Sequence, residues 1–389
     1  MNFSDRIERL PPFLFSDLRI KIRKMKDSGI DVISLGAGDP DHPTPSQVVT
    51  RACEAIHQPK NHQYPENIGK IEFRQSVANF MQYRFKVVLN SEKEIFPVLG
   101  GKEAIHHLAI LFLTEGDICL SPNPGYPPYN SAPILAGSKS YPLPLEEKNN
   151  FLPNFSEISS DVLKNTKLLY LNYPNNPTGA VATEEFFLSV VKFAKKHNIV
   201  VVHDNSYSEI SFDGYKPISF LQTKGAMDVG VEVFSLSKGW NMTGWRVGWI
   251  VGNEKIIEKY SHLKPNIDSG IFGAIQSGAI AALDEARDFP KYMSDIYQGR
   301  RDLMIETLTN LGIIVKPQLA TPFIWARTPN GYSSMEFANL ILEKAAVVVT
   351  PGNAFGKYGE GFFRIALMAD DKLIERAISR LKVALKEKK

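Results

Sequence analysis

The sequence has little of what marks several large classes of protein. Only two of its 389 residues are cysteine, Cys53 and Cys119, and they form neither a CxxC motif nor a disulfide framework, so we expect a reducing, cytoplasmic location. The 45 Lys and Arg nearly balance the 42 Asp and Glu, and a net charge of +3 predicts neither nucleic acid nor a membrane surface as a partner. The longest apolar runs, such as residues 108–113, fall far short of the ~20 residues that a membrane-spanning helix needs.

What remains is the composition of an ordinary globular protein, with 43% hydrophobic and 22% charged residues. At about 100–200 residues per domain, the length suggests two or three domains. We expect an N-terminal arm that includes part of a small domain over residues 1–45, a large domain over 46–285, and a C-terminal small domain over 286–389.

Short apolar runs alternate with helical patterns through the large domain. Nearly continuous hydrophobicity in the runs is typical of strands that are buried on both faces of a parallel sheet. Thr183 is a suitable N-cap for the clearest helical stretch, residues 183–198. The alternation predicts an α/β fold. The candidate strands are residues 95–100, 117–122, 167–174, 198–204, 231–237 and 246–252.

Polar side chains follow three of these strands at the point where each ends. The segment NNPTG (175–179) follows one strand, and Asp204 and Tyr207 follow the next. Lys238 follows a third strand, with Arg246 eight residues further along. Ligands of open parallel sheets bind beyond the carboxyl ends of the strands, so we expect these residues to form one site.

An acid, a phenol, a lysine and an arginine together are the set that pyridoxal 5′-phosphate (PLP) uses. A lysine amine bonds to the aldehyde, and an aspartate keeps the pyridine nitrogen protonated, so that the ring withdraws electrons. A phenol donates to the ring oxygen O3′, and an arginine binds the phosphate with two hydrogen bonds. The Gly-rich entry into the helical stretch 100–110 and the hydroxyls of Ser235 and Ser237 suit the same phosphate. The residues therefore predict PLP as the cofactor.

The segments NNPTG, HDNSYSE and SLSKGWNMTGWRVGW resemble the fold-type I PLP-dependent aminotransferases, the class I/II group. The resemblance runs from SLGAGDPD near the start of the chain to FFRIAL near its end. It implies the PLP-dependent transferase fold type I, in which a large domain with a mainly parallel central sheet flanked by helices joins a smaller α+β domain. It also implies ping-pong exchange of an amino group between an amino acid and a 2-oxo acid. A further implication is a homodimer with its sites at the subunit interface.

The resemblance implies a role for each residue that matches a motif of the family. Lys238 would bond to the cofactor and move the proton of the reaction, and Asp204 would pair with the pyridine nitrogen. The remaining ring and phosphate contacts would come from Tyr207 and Asn176 at O3′, Tyr126 stacked on the ring, and Gly101, Lys102, Ser235, Ser237, Arg246 and the neighbouring subunit's Tyr64 at the phosphate.

The substrate site is implied in the same way. Arg364 in FFRIAL would bind the α-carboxylate of the amino acid, with Gly38 and Asn176 assisting. The sequence departs from many members of the family at the phosphate turn, which has Gly101 and Lys102 where Ser or Thr is common. That departure weakens a side-chain contact there but leaves the backbone contacts possible.

Four segments resemble the LL-diaminopimelate aminotransferases of the lysine pathway: NYPNNPTGAVA, FDGYKPISFL, GAMDVGVEVFSLSK and KPNIDSGIFGAIQ. This resemblance implies transfer between LL-diaminopimelate and 2-oxoglutarate. Asn266 and Ser269, supplied across the dimer, are candidates for the distal end of that substrate. An aspartate, alanine or aromatic aminotransferase of the same family stays open, as does a C–S lyase of the same fold.

Three unrelated interpretations lack part of their pattern. Residues 235–238 match SxxK, but the SDN and KTG strings of serine acyl-transfer enzymes are absent from the sequence. The segment 36–41 breaks the GxGxxG pattern of nicotinamide-binding folds. His106 and His107 are adjacent on a predicted helix and point in different directions, so we expect no metal site there.

Overall fold

The computed structural model describes residues 1, 3–11 and 16–386, and a seven-stranded sheet lies at its centre. The strands are β1 (Ile33–Ser34), β2 (Ile95–Val98), β3 (Ile118–Asn123), β4 (Lys139–Pro144), β5 (Thr166–Asn172), β6 (Val200–Asp204), β7 (Gly230–Ser235), β8 (Gly248–Gly252), β9 (Phe323–Arg327), β10 (Val347–Val348), β11 (Thr350–Pro351) and β12 (Phe362–Ala366).

Helices cover this sheet and build the rest of the molecule. They are α1 (Asp5–Glu8), α2 (Ser16–Asp27), α3 (Ser46–Ile56), α4 (Ile71–Phe85), α5 (Gly101–Phe112), α6 (Pro128–Leu135), α7 (Ser160–Asn165), α8 (Glu184–His197), α9 (Leu236–Gly239), α10 (Glu254–Leu263), α11 (Gly273–Asp284), α12 (Phe289–Asn310), α13 (Ser334–Ala345) and α14 (Asp371–Lys386). Among the described residues, no helix is both long and apolar enough to span a bilayer.

The central sheet has the strand order β2-β8-β7-β6-β5-β3-β4. The pairs within the series β7-β6-β5-β3-β4 are parallel, whereas β8 is antiparallel to both of its neighbours. The prediction of a mainly parallel sheet flanked by helices is confirmed.

Both faces of the sheet are buried, which explains the continuous hydrophobicity of its strands. Along β5, Leu168 and Tyr170 pack into the core on one face, and Leu169 and Leu171 pack into the core on the other. Successive side chains of a strand point to opposite faces, so an unbroken apolar run feeds two cores at once. Each fully buried Leu contributes about 1.5–3 kcal/mol to the free energy of folding.

A second, smaller layer is built from the two ends of the chain. Strands β9, β11 and β12 form an antiparallel sheet, and β1 pairs in parallel with β10. Ile33 and Leu35 of the N-terminal segment share a core with Phe337 and Phe363. The N-terminal segment therefore packs against the C-terminal one, while the assignment of residues 1–45 to the small domain and the boundaries at residues 45 and 285 stay predictions.

Helix α2 and strand β4 are among the elements that the sequence analysis did not predict. Residues 16–27 form α2 within the segment that we expected to be an N-terminal arm. Strand β4 was missed because Pro142 and Pro144 interrupt its strand pattern. Since proline cannot donate a ladder hydrogen bond, it is tolerated in a strand at the edge of a sheet, and β4 is one of the two edge strands.

Candidate active site

Four strands of the central sheet bring their polar connections to one edge. β5, β6 and β7 end there, as does β2, which lies on the other side of β8. Because β8 runs in the opposite direction, it begins at the same edge, where Gly248 is paired with both Val98 and Ser235. The residue preceding β8 and the residues following β2 and β7 are therefore neighbours.

A cavity of about 390 Å³ opens at this edge. Ten predicted site residues line it: Gly101, Lys102, Tyr126, Asn176, Asp204, Tyr207, Ser235, Ser237, Lys238 and Arg246. The sequence analysis missed four more lining residues: Asp39, Tyr129, Ser206 and Thr243.

Asp204, the last residue of β6, is the buried acid of the cavity, with 5% of its surface exposed. Its carboxylate accepts hydrogen bonds from the Tyr129 hydroxyl at 2.8 Å and from the Ser206 backbone N–H at 3.1 Å, and the Ser206 hydroxyl donates as well. Burial, followed by the nearby Asp204 charge, raises the pKa of Tyr129 far above its ordinary value, so its phenol stays a donor. These hydrogen bonds hold the carboxylate in one orientation toward the cavity.

Of the two missed partners of Asp204, only Ser206 follows from a local pattern in the sequence. An aspartate commonly accepts a hydrogen bond from the backbone two residues later, which is the Ser206 contact. Tyr129 stands three residues after Tyr126, at the start of α6, and their rings pack edge to face at 5.7 Å. The pairing of Tyr129 with Asp204 joins residues 75 positions apart, which no local pattern indicates.

Lys238 lies in the short helix α9, directly after β7. Its Nζ donates a hydrogen bond to the backbone carbonyl of Gly38. Burial lowers the pKa of Lys238 to about 8. The charge of Asp39 opposes this shift, and the charges of Arg364 and Arg246 add to it. About a tenth of this amine is therefore neutral, and so nucleophilic, at pH 7, whereas an ordinary lysine is almost wholly protonated there.

An arginine and a helix N-terminus meet at another part of the cavity. Arg246 donates to the carbonyls of Thr243 and Leu99, at 2.7 and 3.2 Å. Gly100 adopts φ +89°, and a Cβ there would lie 2.5 Å from the Arg246 guanidinium, so only glycine fits this turn. The backbone N–H groups of Gly101 and Lys102, the first two residues of α5, have no intrahelical acceptor.

The hydroxyls of Ser235 and Ser237 complete this part of the cavity. Ser235 caps α9 by accepting a hydrogen bond from the Ser237 backbone N–H at 3.2 Å, which leaves its own proton available for another acceptor. The guanidinium, two hydroxyls and free N–H groups form a donor set that suits a phosphate.

A second cavity, of about 450 Å³, adjoins the first. Both cavities are lined by Tyr126, Asn176, Tyr207 and Lys238. The second also contains Arg364 and Gly38 among its lining residues. The two cavities therefore share one wall.

Arg364 is a buried cation whose hydrogen bonding is incomplete. Its guanidinium donates to the Asn176 side chain at 2.8 Å and to the Gly36 carbonyl at 2.9 Å. The rings of Phe323 and Phe355 lie 4.2 and 4.7 Å from its Cζ. Burial lowers the pKa of Arg364 to about 10. Its buried Nε has no hydrogen-bond partner in the part of the chain that the structure describes, so the site suits an incoming carboxylate.

Two tyrosines keep their phenolic protons in the shared part of the cavities. Burial raises the pKa of Tyr126 to about 12, and it also raises the pKa of Tyr207. Tyr207 packs edge to face on Phe323, with the ring centres 5.6 Å apart. Both phenols are therefore hydrogen-bond donors at neutral pH.

Three predicted site residues lie outside both cavities. Tyr64 is 94% exposed, and Asn266 and Ser269 are exposed in the connection between α10 and α11. We expected all three to act across a subunit interface, and that role stays a prediction. The adjacent histidines of α5 have different partners, since His106 contacts the Lys102 carbonyl and His107 contacts the Tyr260 hydroxyl.

Comparisons with known proteins agree with this geometry. The family profile for aminotransferase class I and II matches residues 30–381. The chain is 49% identical to an LL-diaminopimelate aminotransferase of Dehalococcoides mccartyi and 47% identical to one of Halothermothrix orenii, and each comparison covers 98% of both chains. A substrate-bound structure of BacF from Bacillus subtilis superposes with a TM-score of 0.94 at 36% identity, covering 98% of each chain. The predicted fold type I is thereby confirmed, and the chain belongs to the aminotransferase class I and II family.

Proposed function

We propose that this aminotransferase is PLP-dependent and transfers an amino group from LL-diaminopimelate to 2-oxoglutarate, a step of lysine biosynthesis. The observation that carries the proposal is the joining of two cavities. One holds Lys238, Asp204 and Arg246, and the other adds Arg364 across a shared wall. The names of the relatives support the choice of substrate.

The donors and acceptors of the first cavity fit PLP group by group. The phosphate would be held by Arg246, by the Ser235 and Ser237 hydroxyls and by the first turn of α5. Gly100 has no Cβ, so the Arg246 guanidinium can lie close to that turn. The hydrogen-bonded carboxylate of Asp204 would pair with the pyridine nitrogen. The phenol of Tyr207 and the amide of Asn176 would contact O3′, and the Tyr126 ring would pack on the cofactor ring.

When bound, PLP supplies an electron sink that lowers the barrier to removing the α-proton of an amino acid. The residues of the chain do the rest. The Lys238 amine, whose pKa burial lowers to about 8, would take that proton at Nζ and would later donate it back within the same cavity. A lysine whose pKa stayed near 10.5 would be almost wholly protonated at neutral pH and could not act as this base.

Arg364 would bind the α-carboxylate of the substrate. The carboxylate would satisfy the unpaired Nε and compensate a buried positive charge that has no anionic partner among the residues the structure describes. Asn176, which already accepts a hydrogen bond from the guanidinium, fixes its plane. The substrate is thereby oriented toward Lys238, which lines the same cavity.

The distal end of LL-diaminopimelate carries a second ammonium and a second carboxylate. Beyond Arg364, the wall that this chain supplies is largely apolar and includes Ile22, Val348 and Phe355. Since unpaired charges are costly to bury, a second subunit must supply the polar partners. Asn266 and Ser269, exposed between α10 and α11, are our candidates. We propose a homodimer in which Tyr64 of the partner subunit also reaches the phosphate.

A reduction experiment tests the role of Lys238. The purified protein loaded with PLP should show a visible absorption band that borohydride abolishes, with the label found at Lys238 by peptide mass spectrometry. Lys238→Ala should lose the reducible band, and Lys255→Ala, on the exposed surface of α10, is the matched control that should retain it. A reducible band that persists in Lys238→Ala would exclude the proposed bond.

A spectroscopic panel tests the substrate. We expect LL-diaminopimelate and glutamate to convert the visible band of the PLP-loaded protein to the absorption of the aminated cofactor, without an added 2-oxo acid. No conversion by LL-diaminopimelate, alongside conversion by glutamate, would reject this donor and retain the aminotransferase.

The apolar wall supports a second candidate donor, an amino acid with a bulky aromatic side chain. Phenylalanine in the same panel would then convert the band, and Val348→Asp should slow phenylalanine more than glutamate, because it buries a charge beside the apolar group. Conversion by phenylalanine but not by LL-diaminopimelate would favour this candidate.

A further inference from the structure

A buried ionic cluster lies outside both cavities and has no part in the proposed reaction. We call it the Lys264 cluster, and it consists of Glu103, His107, Tyr260, Lys264 and Asp268. Lys264 is fully buried, with 0% of its surface exposed. Burying a lysine is unfavourable unless it is paired, so this charge calls for an explanation.

The ammonium of Lys264 lies between two carboxylates. Its Nζ is 2.9 Å from Glu103 Oε1 and 2.6 Å from Asp268 Oδ1. Glu103, His107 and Asp268 resemble a metal-ligand set in composition. The ammonium already bridges the two carboxylates, however, so we assign charge compensation to this cluster and no metal.

Glu103 connects the cluster to the phosphate end of the first cavity. It is the third residue of α5, and its Oε2 accepts the backbone N–H of Leu99 at 2.6 Å. The carbonyl of Leu99 in turn accepts a hydrogen bond from Arg246. One carboxylate therefore braces the Leu99–Gly101 turn, from which both Arg246 and the free N–H groups of α5 act on the cavity.

The charge of Glu103 is a disadvantage at this position. Burial raises the pKa of its carboxyl group, but hydrogen bonds from His107 and Lys264 outweigh burial, so the pKa lies below its ordinary value and the group is ionised. An anion in the first turn of α5 would compete with a phosphate for the positive end of the helix dipole. The Lys264 ammonium neutralises that anion from the side away from the cavity lining.

We propose that Glu103 and Lys264 are positioning residues for the cofactor phosphate: Glu103 holds the Leu99–Gly101 turn, and Lys264 cancels the negative charge that this bracing brings. The inference rests on the proposed function, since it needs a phosphate in the first cavity. It adds two buried residues that contact neither substrate nor cofactor.

The test compares PLP with pyridoxal, which lacks the phosphate, in equilibrium binding to the apoprotein by absorbance. Lys264→Met should weaken PLP binding by about tenfold, the size of a charge effect in a partly buried helix terminus. Pyridoxal binding should not change. Adding Glu103→Gln to Lys264→Met should restore most of the lost PLP affinity, because the uncompensated anion is then gone.

A matched control is Arg301→Met, which removes another buried cation, 3% exposed, that is paired with Asp213 and Asp302 and lines neither cavity. It should lower the thermal stability and leave the affinities for both ligands unchanged. Equal weakening of PLP and pyridoxal by Lys264→Met would assign the cluster a purely structural role and overturn the proposal, as would unchanged PLP binding.

A second pair of variants decides the question if Lys264→Met does not fold. Glu103→Gln keeps an acceptor for the Leu99 N–H, whereas Glu103→Ala removes it. PLP should bind more weakly to Glu103→Ala than to Glu103→Gln, and equal affinities would overturn the proposal. Failure of the parent protein to bind PLP at all would instead refute the proposed function.

Discussion

Lys238 lies in the wall that the two cavities share, and Arg364 lines the second cavity. Both cations are held in surroundings with little water. Burial lowers the pKa of both, to about 8 for Lys238 and to about 10 for Arg364. The consequence differs between the two side chains. A fraction of the lysine is neutral near neutral pH, whereas the arginine stays charged and forms no ion pair with the residues that the structure describes. A single physical effect therefore separates a proton-transfer group from a carboxylate-binding group.

The lowered pKa of Lys238 predicts how the apoprotein recombines with PLP. Only the neutral amine attacks an aldehyde, and with a pKa of about 8 roughly half of it is neutral at pH 8. We expect the rate of absorbance change on mixing, divided by the rate for a small lysine derivative in the same buffer, to fall as the pH rises from 8 to 10.5. The ratio falls because the reference amine continues to deprotonate while Lys238 is already neutral. A ratio that is independent of pH over that interval would contradict the shift.

At this scale the sequence predicts side-chain types better than their surroundings. Ten predicted residues line the first cavity because each follows or precedes a strand of one sheet, which is a topological rule. The contacts of Asp204 with Tyr129 and of Lys238 with Gly38 join residues far apart in the chain. Such contacts depend on how the elements pack, which local patterns do not encode.

Among the elements, α8 is one whose first residue could be predicted from a local signal, the Thr183 N-cap. The Thr183 hydroxyl accepts a hydrogen bond from the Phe186 backbone N–H at 3.2 Å, and α8 begins after Thr183, where the sequence predicted. Acidic residues in the first turn and basic residues in the last complement the helix dipole. The helix could be predicted because its cap, charges and apolar face all lie within its own residues.

Removing this cap should be costly for stability and neutral for activity. Thr183→Ala leaves an orphaned N–H at the start of α8 and should lower the free energy of unfolding by about 1 kcal/mol. Denaturant unfolding of the apoprotein measures the change. Thr183→Ser, which keeps the hydroxyl acceptor, is the control and should remain close to the parent. An equal loss in both variants would mean that the threonine methyl group, and not the cap, stabilises the helix.

Strand pairing between distant segments could not be predicted from the sequence. Strand β1 pairs with β10, although some 300 residues separate them, and each contributes only two residues. Neither is long enough to show the alternation by which a strand is recognised. Strands β1 and β10 form because the two ends of the chain meet.

The whole molecule leaves several large apolar side chains exposed along the surface that we assign to the dimer. Tyr64 is 94% exposed, and Ile68, Ile267 and Phe272 are each about 40% exposed. The backbone of Gly270 lies against that of Glu66, so these segments form one surface. A contiguous apolar patch of this kind is typical of a protein–protein interface.

A mixing experiment tests whether the sites are shared between subunits. Tyr64→Ala should bind PLP weakly, and Lys238→Ala should be inactive. In a hybrid dimer of the two, one site has both Tyr64 and Lys238, so refolding an equal mixture should recover about a quarter of the parent activity. A mixture no more active than the sum of its separate variants would exclude sharing through Tyr64. Light scattering on each sample verifies the dimer.

The reversed direction of β8 has a consequence for the spacing of the site. The connection from Leu236 to Val247 leaves the sheet and re-enters it at the same edge, with Lys238 near its beginning and Arg246 near its end. Both ends of this short stretch are anchored in adjacent strands, so its length determines the distance between the Lys238 amine and the Arg246 guanidinium. We therefore expect natural variation in loop length to accumulate at other surface connections. One extra residue here would change the separation of the two groups, which the proposed cofactor requires to be constant.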